Sequence, residues 1–472
     1  MSDTPQQPTA CDLLIKNACL ITVDEQRRII LNGAVAIKGQ HILAVDTSDT
    51  ITARYKAANV LDAGGATVHP GYIEPHIHIS QYHSRPATSV FQIPNAPFRY
   101  ASWKTHLSAE DEFPSTAYGC LELLHAGFTS FVEPGTAFSP DAVAAAAEMV
   151  GMRAWVTDAY LWDFGDTLKR YPALISDELM KRVPCDTQRC LKQLGGQLFR
   201  NVDPNALVRG HVAIYGEATA TDELRQAAKA CARDNAVTFT EHLCFAPAID
   251  EVERERLGCS QITHAAQLGL LDSSTTAVHM NMLYESDLDI IAESAMSIVW
   301  CAANYLAIAA PSGIKTHLPA LNRRGVNVTL GIDTPATTNP GDNMTMANIA
   351  ARQAGDLVHA TELIEMQTIA AAHSIGAQAE IGSIEPGKRA DIVVRKPRDP
   401  TVMGFDPVYE LALFQRAKDI DTVIVNGQTV VNNGHSTRVD EYLVAQESVT
   451  SSRKIIREIG MMPIHGWPVI SG

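Results

Sequence analysis

The stretch Val68-His-Pro-Gly-Tyr-Ile-Glu-Pro-His-Ile-His78 carries the pattern from which the rest of the chain is read. Its strand-like run ends in two histidines at i and i+2, and on an extended segment such positions project to the same side. Two imidazoles so placed can take one metal ion, with Ile77 turned away; a pair of polar loop histidines is the bland alternative. Outward from this stretch, short apolar strands are predicted at Thr129 to Glu133, Ala154 to Ala159, Val208 to Tyr215 and Val237 to His242. Further strands are predicted at Thr276 to His279, Ser297 to Cys301 and Val326 to Asp333. Between them lie amphipathic helices such as Asp141 to Val150, Thr221 to Arg233 and Glu285 to Glu293. Repeated strand–helix units imply parallel strands, so the expected fold is α/β, a (β/α)8 barrel, with a doubly wound open sheet as runner-up. No Gly-x-Gly-x-x-Gly follows an early strand, which weakens a dinucleotide-binding reading.

The flanks have another rhythm. Leu13 to Val23, Ala34 to Ile37 and Ile42 to Val45 alternate apolar and polar positions, broken at Asn32-Gly33 and Lys38-Gly39. That texture returns in Ala390 to Val394 and in Asp421 to Val431. Period-two patterning with Gly and Asn punctuation reads as antiparallel strands, and the two distant segments are expected to complete one small sheet domain.

Acidic residues outnumber basic ones by 53 to 38 in these 472 residues, a formal net charge of −15. An acidic surface repels phosphate backbones and anionic lipids, so neither nucleic acid nor membrane is an expected partner. Nine cysteines form no CxxC pair, which reads as reduced thiols in a cytoplasmic protein. The amino-terminal MSDTPQQPTA has no basic patch before an apolar run, so no secretory signal is expected. No stretch of 18 apolar residues occurs, so no membrane span is expected either.

Further candidate ligands stand at predicted strand ends: His242 after Val237-Thr-Phe-Thr-Glu, His279 after Thr275-Thr-Ala-Val, and Asp333 after Val328-Thr-Leu-Gly-Ile. In a (β/α)8 barrel the carboxyl ends of all strands open onto one face. Histidines and one carboxylate converging there suit Zn²⁺ or a similar ion. Each alone has a bland reading, a satisfied core histidine or a loop aspartate; the set together favours a metal site.

Pro70-Gly-Tyr-Ile-Glu-Pro-His-Ile-His78 resembles the first-strand motif of the amidohydrolase superfamily. Ala126 to Glu133 is similar to its second barrel strand and Leu330-Gly-Ile-Asp333 to its eighth. Ile381 to Val394 and Asp421 to Gly434 resemble its small β domain. The branch of triazine hydrolases and of nucleobase or pterin deaminases is the most similar. The resemblance implies a TIM-type barrel at 67–382, a small β-sandwich from 1–66 and 383–440, and a packing extension at 441–472. It implies one divalent ion, Zn²⁺ or else Fe²⁺, on His76, His78, His242 and Asp333, with His279 beside the attacking water. Binuclear members add a carboxylated lysine at the fourth strand, and Ala206 to Ala218 holds no lysine. A small-molecule substrate and a homo-oligomer follow from the same resemblance.

The ligand set suggests hydrolysis of a non-peptide carbon–nitrogen bond in a small planar or cyclic compound. A bound Zn²⁺ or Fe²⁺ lowers the pKa of its water toward neutrality, Asp333 takes a proton, and His279 stabilises developing charge. Related deaminases carry a glutamate three residues after the fifth-strand histidine, where this chain has Phe245. Phenylalanine moves no proton, which tilts the expectation toward an amide or urea over ring deamination. Glu241 and Glu217 are the candidate substitutes, although strand alternation turns Glu241 to the opposite face. At the seventh strand, Trp300-Cys-Ala-Ala-Asn304 keeps only the final Asn of the related motif. Phe245 and Trp300 are candidate aromatic walls for a planar substrate, with Asn304, Trp103 and Tyr160 as further lining; core packing is the alternative for each aromatic. A deaminase with a substitute proton shuttle and a non-catalytic scaffold relative are the competing functions. Gln92 to Pro97 is read as a rigid loop shaping entry, and His69, His83, His106, His125 and His211 as ordinary structural histidines.

Overall fold

A computed structural model describes residues 7–88, 96–164, 176–396, 405–414 and 416–463, with 465, 467, 468 and 470. Its centre is built from short strands, most of them buried on both faces. Runs such as Phe239–Leu243 and Thr275–His279 are buried at every residue, the signature of parallel strands covered by helices. Tyr72–Glu74, Phe128–Val132, Arg153–Val156 and Val208–Gly210 form one four-stranded parallel sheet. Val212–Gly216, Phe239–Leu243, Thr275–His279, Ser297–Trp300 and Asn327–Leu330 form a five-stranded one. Only His211 separates Val208–Gly210 from Val212–Gly216. At the other end of the set, an isolated parallel bridge joins Ile77 to Asp333.

The intervening helices begin and end where local chemistry dictates. Thr221 caps Asp222–Asp234 by accepting from the Leu224 N–H, and Gly127, in the left-handed region at φ 94°, ends Ala109–Ala126. The expected strands and helices are present with bounds shifted by one to a few residues, except that the single strand expected at Val208 to Tyr215 is two strands, broken at His211 and belonging to different sheets.

The two chain ends do share a sheet. Thr9–Ile21 pairs antiparallel with Ile29–Lys38 and parallel with Tyr55–Asp62 and Thr67–Pro70. Thr67–Pro70 then pairs antiparallel with Ile392–Arg395, which leads through Ile420–Val425 and Gln428–Asn432 to His435–Ser436. The result is one nine-stranded mixed sheet. A single residue, Gly71, links Thr67–Pro70 to the first strand of the parallel set, and a Cβ there would meet Thr129 Oγ1 at 2.1 Å. The chain therefore crosses between sheets where only glycine fits.

The C-terminal segment is a helix, Glu441–Ile459, capped by Asp440. Its buried Ile455 packs with Trp103 of the helix Ala96–His106 and with Leu107 just after it, and its Lys454 Nζ lies 2.8 Å from Asp111 Oδ1. Among the described residues, no helix is long and apolar enough to cross a membrane. A cavity of about 880 Å³ lies beside Arg209, His211, Ser297 and Asn327, near the amino ends of the strands. It contains none of the candidate ligands, which stand at the opposite, carboxyl ends.

Candidate active site

His76, His78, His242, His279 and Asp333 come from four separate strand ends and converge, each 3% exposed or less. Ligand atoms of His76, His78 and His242 all lie within 4.8 Å of one another, as do those of His76, His279 and Asp333. Asp333 Oδ1 lies 3.1 Å from His78 Nε2 and 3.6 Å from His76 Nε2. The backbone is shaped for this. Asp333 and His279 hold φ of 68° and 79°, a region that non-glycine residues enter at a cost of about 1–3 kcal/mol each. Reciprocal bonds, Asp333 N to His76 O at 2.9 Å and His78 N to Asp333 O at 3.1 Å, keep the aspartate in that conformation.

The imidazoles are oriented from behind. His78 Nδ1 donates to Thr136 Oγ1 at 2.6 Å, and the Thr136 hydroxyl donates onward to Glu133. His242 Nδ1 donates to the Tyr215 carbonyl at 3.0 Å. These bonds leave each Nε2 with its lone pair turned to the centre. His76 Nε2 and His242 Nε2 are buried with no hydrogen-bond partner. Burial pushes His78 down to about 4 and His279 to about 3, against the pull of Asp333, so both are neutral at pH 7. Burial and the neighbouring histidines push His242 well below its ordinary value. Burial also opposes the charge of Asp333, but the His76 and His78 rings beside it outweigh that and hold the carboxyl well below the usual range. Imidazoles with orphaned nitrogens beside an ionised carboxylate are a donor set that fits a divalent metal ion.

A profile of the amidohydrolase family matches residues 67–430. This chain belongs to the amidohydrolase family. Among family relatives, a 5-methylthioadenosine/S-adenosylhomocysteine deaminase from Thermodesulfovibrio yellowstonii is 27% identical over 94% of this chain and 98% of its own. A 5'-deoxyadenosine deaminase from Methanosarcina acetivorans is 24% identical over 94% and 98%. In the solved structures, a zinc-bound adenosine deaminase from Xanthomonas campestris superimposes with a TM-score of 0.81, at 22% identity, over 96% of this chain and 100% of that one. An atrazine chlorohydrolase from Arthrobacter aurescens, also with zinc, gives 0.80 at 21% identity over 93% and 100%. The α/β architecture is thus that of amidohydrolase family members with TIM-type barrels.

The other sequence candidates fall in different places. Phe245 lines the centre, its ring centroid 4.6 Å from that of His279. Asn304 Nδ2 donates to Asp333 Oδ2 at 2.6 Å, so it acts on the carboxylate. Glu241 is turned away from the histidines, in a bidentate ion pair with Arg225 of the outer helix, as strand alternation expects. Glu217 accepts from the Phe245 N–H at 3.0 Å and from Gln261 Nε2 at 2.7 Å; it braces the loop that carries Phe245. Burial pushes Glu217 up to about 8 against those bonds. Trp103 packs between His83 and the C-terminal helix. Trp300 is fully buried in the main core, with no partner for its indole N–H. Residues 92–95 of the Pro-rich segment lie outside the described residues.

The bland histidines have local partners: His69 meets Pro70 O, His106 meets Ser102 O, His125 meets Glu441, and His211 meets Glu133 O. His83 shares a hydrogen bond with Ser451 of the C-terminal helix. Sequence reasoning missed Glu74, whose Oε1 accepts from the His76 and Ile332 N–H groups and so clamps two ligand-bearing strands. A charged residue inside the apolar first-strand run was the available signal. It also missed Lys104, for which no local pattern exists.

Proposed function

We propose that this chain is a metal-dependent hydrolase that cleaves a non-peptide carbon–nitrogen bond of a small planar compound. The convergence of His76, His78, His242 and Asp333 with orphaned imidazole nitrogens carries the reading. These four would hold one ion, Zn²⁺ or alternatively Fe²⁺, and zinc in the two solved structures supports the former. A divalent ion bound there supplies a water activated for attack at neutral pH. Asp333 accepts the proton of that water, while the Asn304 amide on Oδ2 fixes how the carboxylate is turned. His279, neutral at pH 7, hydrogen-bonds the attacked group and stabilises its developing charge. Phe245, beside His279, gives a planar substrate an apolar face.

The similarity to deaminases of adenosine derivatives favours a second reading within this one, release of ammonia from a ring amino group. Phe245 then requires a proton donor elsewhere, and neither Glu241 in its ion pair nor Glu217 behind Phe245 faces the centre. Metal analysis joined to a substrate panel decides between them. Stoichiometric metal with release of a larger amine or a ring-opened acid supports the first, and ammonia from aminopurines supports the second. A protein that binds no metal at His76 and His78 leaves only a scaffold role.

The same reading includes a closed eight-stranded barrel at 67–382, supported by the Gly210–Val212 continuity and the Ile77–Asp333 bridge. It includes a β-sandwich from 1–66 and 383–440 and a separate extension at 441–472. A homo-oligomer is supported by exposed Tyr442, Leu443 and Val449 on the C-terminal helix. Nine free cysteines support a cytoplasmic location.

A further inference from the structure

Among the described residues, Lys104 is a buried charge near the histidine cluster that the hydrolytic chemistry leaves unexplained. It sits on the helix Ala96–His106 and is 4% exposed. Among the described residues its ammonium has no hydrogen-bond or ion-pair partner; its close neighbours are rings. The Nζ atom lies 4.5 Å from the Tyr100 ring centroid and 6.0 Å from that of Trp162. Arg182 fixes the helix end by donating to the Lys104 and Thr105 carbonyls, at 3.2 and 2.7 Å. The helix end is thus held in place, with the Lys104 side chain buried beneath it.

The rings lead to the metal ligands. Trp162 meets Tyr215 edge-on at 5.2 Å, and Tyr215 stacks on His242 at 4.2 Å. Lys104 therefore stands at the far end of an aromatic wall whose near end is the histidine cluster. It is close enough for Asp333 to act on its charge and for its own charge to act on His78. Two more polar atoms of this wall, Tyr100 Oη and Trp162 Nε1, are buried with no partner. A buried ammonium and two donors of the same wall with no partner among the described residues need an acceptor, and a charged one satisfies the ammonium best. Asp333 does not fill this role: among the described residues it makes no ion pair with Lys104, and its Oδ2 is held by the Asn304 amide.

We propose that Lys104 reads a carboxylate on the substrate, so that the hydrolysed compound is an anionic, planar carbon–nitrogen compound with its acid group against Lys104, Tyr100 and Trp162. This inference deepens the hydrolase reading and rests on it for the site being a substrate site. It sets the substrate class apart from a neutral nucleoside.

The test uses the zinc-loaded full chain and an isosteric pair of probes, benzoate and benzamide, with affinities measured by calorimetry. Wild type binds benzoate at least tenfold more tightly than benzamide. Lys104→Met loses at least tenfold in benzoate affinity, keeps its benzamide affinity and its zinc content, and Lys104→Arg restores the preference. Equal affinities for the two probes in wild type, or none for either, overturn the proposal. So does benzoate affinity unchanged in Lys104→Met, which places the probe on the metal alone. Among the described residues the ammonium has no hydrogen-bond or ion-pair partner, so Lys104→Met is expected to melt no lower than wild type; a lower melting temperature marks a structural lysine and overturns the reading. The two conclusions fail separately. Discrimination of benzoate through Lys104 without hydrolysis of any compound sinks the hydrolase reading alone. Hydrolysis of carbon–nitrogen compounds with kcat/KM indifferent to Lys104→Met sinks this one alone.

Discussion

Asp333 concentrates the site's chemistry in one side chain: Oδ1 faces His76 and His78, and Oδ2 is held by Asn304. Replacing it by asparagine keeps the shape and removes the base. Asp333→Asn is expected to lower kcat by about 10³-fold, the usual scale for a positioned general base. Zinc content, measured alongside, falls less than in His76→Ala, which removes a ligand. Full turnover by Asp333→Asn overturns the base role. Glu217 gives a pH prediction. Burial raises its carboxyl to about 8 in the fold, so the folded state binds a proton that the unfolded chain releases above its ordinary value of 4.5. Its contribution is fully present below that ordinary value and is lost as pH rises through about 8. Glu217→Gln keeps a neutral group there, so the variant gains on wild type between pH 5 and 8 by at most about 1.4 kcal/mol per pH unit. Urea midpoints of the two proteins across that range test it, and a constant difference refutes it. At this scale the sequence was legible where chemistry is local. His76 and His78 declare themselves by spacing, whereas Lys104 is recognisable only from the rings and charges that folding brings around it.

The helix Ala96–His106 and the C-terminal helix Glu441–Ile459 form a layer over one side of the site. Trp103 of the first and Leu107 just beyond its end pack against Ile455 of the second, and Ser451 and Lys454 hold Asp111 at the start of the next helix. Ile455 is fully buried, so Ile455→Ala leaves a cavity costing about 2–4 kcal/mol. The melting temperature falls accordingly, and benzoate affinity falls with it because Lys104 rides on the supported helix. A stability loss with no change in binding uncouples the two helices. Strands such as Thr275–His279 were readable because an apolar run bounded by turns reports burial without any knowledge of its neighbours. The C-terminal helix was only a packing extension in the sequence, since its partners lie more than three hundred residues away in the chain.

The two sheets are tied by charge as well as by Gly71. Arg153, on a parallel strand, makes a bidentate pair with Asp391 beside the nine-stranded sheet, at 2.9 and 3.1 Å, and both side chains are 3% exposed. Removing one partner strands the other charge in the interior, so Asp391→Ala is expected to destabilise by about 3–5 kcal/mol in chemical denaturation. The proposed metal is a further tie, because its four candidate ligands come from three separate strand ends. Chelation is expected to abolish turnover and lower the melting temperature, with zinc at a hundredfold excess over its Kd restoring about 2.7 kcal/mol. A chelated protein that keeps its melting temperature argues against an ion at these ligands.

By itself the sequence determined the alternation of strands and helices, the two β-rich ends, and a set of histidines and one aspartate at strand ends. Those features follow from periodicity and from residue chemistry, which act over a few neighbours. Tertiary structure alone decided that Glu241 turns to Arg225, that Glu217 braces Phe245, that Asn304 holds Asp333, and that Lys104 stands across Trp162 and Tyr215 from the histidine cluster. Each depends on a contact between segments distant in the chain. A side chain's partner across such a distance is set by packing of the whole fold, and no local pattern encodes it.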